Sequence, residues 1–190
     1  MKCLLIVERW FIIVFALVLL TTCSNDLDTE TFDDHALVTV KFQGTPSAFT
    51  RVQLDIVDVQ LRVLDDLSNP NAWVSLTTRN PGVYDITSIT GNTVLALVDF
   101  EEIPSTFIHS IRVVFGNRNT VVKNNIEYTV TFDSQFDNTS TNIVGKQLKP
   151  NTVYEFTLVL DTDRSIVVNA NGSVHITPNM STNLSLFNLF

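Results

Sequence analysis

Cysteine is almost missing from this chain, with only Cys3 and Cys23 among 190 residues. A fold stapled by internal disulfides is therefore excluded, and zinc sites built from convergent Cys and His ligands are disfavoured. Histidine is as scarce: His35, His109 and His175 stand far apart, and no His-x-x-x-His or His-Glu-x-x-His pair occurs. Six Gly and six Pro are too few for a collagen-like or disordered body. Basic residues are short as well, 12 Lys and Arg against 20 Asp and Glu. That balance disfavours nucleic acid, whose binding depends on cations displacing counterions from phosphate. No Gly-x-Ser-x-Gly elbow and no Gly-x-x-x-x-Gly-Lys loop is present. A further absence concerns helices: no long segment keeps a 3.6-residue apolar period between caps.

One apolar run stands out, residues 10–20, behind the positive charges of Lys2 and Arg9. It ends at Leu20-Thr21-Thr22-Cys23, and Ser24-Asn25-Asp26 opens a polar stretch. A basic start, a short apolar run and a small-residue processing site describe a secretory signal. The run is also shorter than the ~20 residues of a spanning helix. Leu, two small residues and Cys resemble the bacterial lipobox, in which the Cys becomes the lipidated first residue of the mature chain. The same residues admit a plain secretory signal with an incidental Cys23, or an uncleaved anchor over residues 4–20. Cysteine usage favours the lipobox: Cys3 leaves with the signal, and Cys23, then alone, has no internal partner. The expected organisation is a signal over residues 1–22, an acidic tether over 23–35 and one domain over 36–190. The mature chain would hold 10 basic and 19 acidic residues. With so acidic a body, an acyl chain rather than charge would keep it at the membrane.

From Ala36 onward, short apolar alternations are separated by turn residues. Val38, Val40 and Phe42 share one parity, and Gly44-Thr45-Pro46-Ser47 ends the run. Val52, Leu54 and Ile56 begin a second strand whose apolar phase then slips to Val57, Val59, Leu61 and Val63, the mark of a β-bulge. Similar alternations recur through Ile111, Val113 and Phe115, through Tyr128 and Val130, and through Tyr154, Phe156 and Leu158. Nine to eleven short strands predict an all-β fold, an antiparallel β-sandwich of the immunoglobulin or transthyretin-like Greek-key type. Residues 133–142 read as a polar loop with no strand of its own. The expected core is Phe42, Leu54, Trp73, Tyr84, Ile111, Val113, Phe115, Tyr128, Val130, Tyr154, Phe156, Leu158 and Ile166. The final residues through Phe190 read as a strand of this sandwich rather than the closing strand of a membrane barrel.

Trp73-Val74-Ser75-Leu76, Gly82-Val83-Tyr84-Asp85-Ile86 and Ile111-Arg112-Val113 before Gly116-Asn117 occur in that order. Tyr154-Glu155-Phe156-Thr157-Leu158, Asp161, Arg164-Ser165-Ile166-Val167, Asn171-Gly172 and Pro178 follow. Over residues 36–184 this series resembles the bacterial envelope domain of unknown function 4382, common in Bacteroidetes-type lipoproteins. The resemblance implies location and fold but no activity. Members often carry an acidic turn after the first strand, where this chain has Gly44-Thr45-Pro46-Ser47 without an acid.

Carboxylate neighbours occur at Asp33-Asp34, Asp65-Asp66 and Glu101-Glu102. Adjacent residues of a strand face opposite sides, so such pairs do not converge as a glycosidase acid and base do. Asp161 and Asp163 could offer two oxygens to calcium, which wants six to eight. Asp161 and Arg164 bracket a turn and are expected to pair, Arg112 to face water or an acid, and His109 and His175 to be hydrogen-bonded structural residues. Gly82 is expected in a turn of positive φ, with Gly116 and Gly172 in strand-ending turns. Glycosylation sequons at Asn138, Asn171, Asn179 and Asn183 have no role in a bacterial lipoprotein of this kind. The chain therefore reads as a non-enzymatic outer-membrane lipoprotein, periplasmic or surface-exposed, without cofactor or bound metal. Its partners would be the membrane, through Cys23, and a glycan or envelope protein held by loops 65–72 and 132–142. The alternatives are an architectural subunit of an envelope complex and a hydrolase using scattered carboxylates.

Overall fold

The computed structural model describes residues 34–132, 139–169 and 171–189. The signal, the lipobox Cys23, all but the last two residues of the tether, and Phe190 lie outside these. The described residues form thirteen strands: β1 His35–Gly44, β2 Arg51–Arg62, β3 Trp73–Ser75, β4 Gly82–Asp85, β5 Leu95–Pro104, β6 Phe107–Phe115, β7 Thr120–Lys123, β8 Ile126–Phe132, β9 Thr139–Gln147, β10 Thr152–Leu160, β11 Ile166–Val168, β12 Val174–Ile176 and β13 Met180–Asn188. Helical structure among them is one 3-10 turn, Ile86–Ser88, and one four-residue helix, α1, Thr162–Ser165. None of these helices is long and apolar enough to cross a membrane.

The expected all-β sandwich is what these strands build. One sheet has the order β13-β10-β1-β5, and the other runs β11-β12-β8-β7-β2-β6-β9 with β3 and β4 also joined to β2. Most pairs are antiparallel, but β1 runs parallel to β10 and β12 parallel to β8, so both sheets are mixed. The alternating side chains of both sheets meet in one core, with Val38, Val40, Phe42, Phe156 and Leu158 facing Leu54, Ile56, Ile111 and Val113.

Strand β2 organises the larger sheet. Gln53 pairs with both Asp85 and Thr120, and Gln60 with both Ser75 and Arg112. One edge of β2 therefore carries β3 and β4, and the other carries β6 and β7. The expected bulge is present: Ile56 pairs with Phe115 and the next pair is Asp58 with Val114. Val57 is the extra residue and points to solvent, so the second apolar phase begins at Val59, not Val57.

Between β6 and β7 the ladder skips Asp55, and residues 116–119 take its place. The Asp55 N–H donates to Asn119 Oδ1 at 2.9 Å, and its carbonyl accepts from the Gly116 N–H at 2.7 Å. Arg118 grips the outward carboxylate with Nη2 at 2.8 Å and Nε at 3.0 Å. Gly116 is required here by close approach, since a Cβ would run into the Asp55 carboxyl group. Gly82 likewise needs no positive φ; the left-handed residue of its turn is Asn80. Gly172 is left-handed, at φ 83°.

Three other expectations need correction. Residues 139–142, assigned to a polar loop, open strand β9 on the sheet edge, where one partner and a solvent face leave no apolar alternation to read. Residues 133–138 lie outside the described set. Trp73 is not in the core: it stands opposite Arg62, whose neighbour Leu61 points inward, and so lies on the outer face. Tyr84 and Tyr128 pack against the core but stay half-buried. The other expected core residues are buried.

Candidate binding face

The outer face of the larger sheet carries the most developed polar and aromatic arrangement. Register aligns Ser75, Gln60, Arg112 and Thr141 in one row, and Trp73, Arg62, Ser110 and Ile143 in the next. The Arg112 guanidinium lies 3.9 Å from the centre of the Trp73 ring, close enough for cation–π attraction. Its Nε and Nη2 also donate to Gln60 Oε1, at 2.8 and 2.5 Å. Gln60 Nε2 in turn donates to Asp58 Oδ2 at 2.7 Å, and the Ser75 hydroxyl to the same carboxylate at 2.8 Å. Trp73 is thus held flat beneath a cation, and that cation is held by an amide fixed on a carboxylate. Arg112 faces outward as its parity requires, and an amide and a ring are among its partners.

Toward the end of β2 the face continues into the 65–72 loop. Asp65 lies 3.6 Å from His109 Nδ1 and 3.9 Å from Arg62 Nη2. The His109 ring meets Phe107 edge-on, with centroids 4.8 Å apart. The loop is internally bonded. Asp66 Oδ1 accepts from the Ser68 N–H at 2.9 Å and its hydroxyl at 2.6 Å, which lowers the Asp66 pKa below the usual carboxylate range. Asn69 Oδ1 accepts from the Asn71 N–H at 2.9 Å, and the Val63 N–H donates to Ala72 O at 2.8 Å.

Three acids of β2 and β5 are engaged in closing the sandwich. Residues 76–79 cross from β2 to the edge of β5, with the Leu76 N–H on Val59 O at 2.8 Å and the Arg79 N–H on Leu97 O at 2.7 Å. Asp58 accepts from Thr78 Oγ1 at 3.2 Å, Glu101 from the Thr77 N–H at 2.6 Å, and Asp99 pairs with Arg79. Each carboxylate thus holds a donor of the crossing segment.

Asp161 and Asp163 are likewise turned to different partners. Asp161 caps α1 by accepting from the Arg164 N–H at 3.1 Å, with the Arg164 side chain 3.5 Å away, while Asp163 Oδ1 accepts from the Ala48 N–H at 3.0 Å. Among the described residues no group of three His, Cys, Asp or Glu is placed to hold a metal ion. His175 Nδ1 lies 3.1 Å from Thr131 Oγ1. An open recess of about 400 Å³ beside Thr50, Arg51, Val122, Asn125 and Glu127 is spanned by the Arg51–Glu127 pair, at 2.6 Å.

The sequence singled out the 65–72 loop and the outward parity of Arg112, but not the Trp73–Arg112–Gln60–Asp58 chain. Only strand register brings these residues together. Cys23, the expected lipidation site, lies outside the described residues, as does most of the 132–142 loop.

Residues 35–178 match the family model described as Domain of unknown function (DUF4382), which spans most of the chain. The chain belongs to that family. No curated protein and no solved structure matches it.

Proposed function

Starting from that family membership, we propose that the protein is a non-enzymatic binding module, anchored through Cys23 in the outer envelope of a Bacteroidetes-type bacterium and taking an extracellular glycan. The observation that carries the ligand is Trp73 under Arg112. The planar guanidinium of Arg112, lying over the Trp73 ring, gives a flat surface for a sugar ring and donors for its hydroxyls, and Gln60, Asp58 and Ser75 beside it offer the amide, carboxylate and hydroxyl that sugar hydroxyls pair with. Arg62 and Arg112 put positive groups on this face of an otherwise acidic chain, which favours glycans bearing carboxylates or sulfates. The anchor rests on the basic start, the 10–20 apolar run and Leu20-Thr21-Thr22-Cys23.

A glycan array probed with the full-length protein, followed by titration of Trp73 fluorescence, tests the ligand. Binding that Trp73→Ala and Arg112→Ala each weaken at least tenfold is expected; binding indifferent to both would move the site elsewhere. Metabolic labelling with an alkynyl fatty acid tests the anchor, and label that survives Cys23→Ala would overturn it. A second reading, an architectural subunit of an envelope complex, draws on Ile143, which is 89 % exposed on edge strand β9. Cross-linking from position 143 to a single envelope protein, with no glycan bound, would favour it.

A further inference from the structure

The ends of the sandwich are not alike. β1 begins at His35 beside Pro104, the last residue of β5, and β6 starts after a short turn at Phe107. The Ser105 N–H donates to Asp34 O at 2.8 Å, the Leu148 N–H to Thr106 O at 2.8 Å, the Asn151 N–H to His35 O at 3.1 Å and the Leu189 N–H to Asn151 O at 3.2 Å. Because Arg62 pairs with Ser110 near the start of β6, the 65–72 loop belongs to this end as well. Asp34, the first described residue, therefore sits at the end that holds the 65–72 loop, the β5–β6 turn and the last residues of β13.

This end also displays bulky apolar side chains. Leu64, Leu67, Phe107, Leu186 and Phe187 are all exposed, Leu67 to 66 % and Phe187 to 52 %. Apart from Phe100 on β5, they are all the exposed Leu and Phe among the described residues. Leu67 is held at the surface by the bonds that tie Asp66, Ser68, Asn69 and Asn71 together. Phe107 and Phe187 lie on the outer faces of different sheets. Separate anchors distributed around an end do not make the contiguous patch that a shape-matched protein needs, but each can enter a soft apolar layer. Asp34, Asp65 and Asp66 lie among them, so the contact is apolar rather than electrostatic.

We propose that this end of the sandwich rests on the lipid bilayer, with Leu67, Phe107 and Phe187 entering its interfacial layer, so that the domain is held in one orientation. The inference rests on the anchor reading above. The twelve residues from Cys23 to Asp34 span at most ~40 Å, which keeps the end where Asp34 lies near a bilayer holding an acyl group on Cys23. The outer face of the larger sheet would then stand upright beside the membrane, with the opposite end, around the residue 91–93 turn, farthest from it.

The test uses the full-length lipidated protein with single cysteines at Leu67→Cys, Phe187→Cys and, on the opposite end, Thr93→Cys, each labelled with a polarity-sensitive fluorophore. Cys3 leaves with the signal and acylated Cys23 has no free thiol, so each label is unique. On reconstitution into phosphatidylcholine vesicles, the 67 and 187 labels should shift to the blue and be quenched by nitroxide lipids, while the 93 label changes in neither respect. A protein that carries fatty acid and floats with the vesicles, yet shows all three labels equally polar, would overturn the orientation and leave the anchor intact. A protein without fatty acid that stays off the vesicles would overturn both.

Discussion

Phe156 sits mid-strand in β10, fully buried, opposite Val40 on one side and Leu184 on the other. Its ring belongs to the core shared by both sheets, so Phe156→Ala leaves a cavity that rigid strands cannot close. The expected cost is ~3–5 kcal/mol, a fall in melting temperature on the order of 10 °C for a domain of this size. Calorimetry checks it, and a variant melting with the wild type would place Phe156 on the wrong face. Asp55 offers a different test. It is 5 % exposed, and the Arg118 guanidinium holds its carboxyl below the usual carboxylate range, against burial, which pushes it up. A depressed folded pKa contributes stability that is complete above the unfolded value of ~3.9 and is lost as pH falls through the folded value. Urea unfolding should thus be insensitive to this group from pH 8 to about 5 and weaken below about 4. Asp55→Asn should cost ~1.5–3 kcal/mol at neutral pH, nearer the lower figure because Arg118 is solvent-exposed, and should flatten the acid slope. An unchanged slope would assign acid sensitivity to another carboxyl.

At the scale of elements, alternation was readable wherever a strand has a core on one side and neighbours on both edges. β1, β6 and β10 were legible for that reason, and so was the bulge in β2, because shifting the apolar phase is what a bulge does to a sequence. β9 was not. As an edge strand with one partner it has Ile143 facing solvent, and Gly145 at φ 59° sits within its irregular pairing with β6. Ile143→Lys should therefore leave urea stability within ~0.5 kcal/mol of wild type and reduce association at high concentration, because a charge on an edge strand opposes strand addition. A loss of several kcal/mol would mean that Ile143 is buried against something in solution. Trp73 was misplaced for a related reason. Large aromatics suggest core by composition, yet β3 has only three residues, too few for its alternation to declare which side faces in.

For the molecule as a whole, cohesion comes from the shared core and from the segment at residues 76–79 that joins the two sheets along one side. With Cys3 and Cys23 the only cysteines, the domain has no internal disulfide to lose. Dithiothreitol should leave its melting temperature unchanged, and a shift of more than about 2 °C would point to a disulfide between chains. What the sequence determined by itself was local: the all-β class, the parity of the central strands, the phase slip in β2, the family and the basic-apolar-Cys start. Each depends on residues a few positions apart, where side-chain alternation and turn chemistry act. Only the tertiary structure decided which surface Trp73 occupies, that Arg112 covers it, that Asp58, Asp99 and Glu101 fasten a crossing segment, and that Leu67, Phe107 and Phe187 share the end where Asp34 lies. Those arrangements join residues up to more than a hundred positions apart through strand register. Many strand orders satisfy the same alternation, and packing two sheets into one core selects among them.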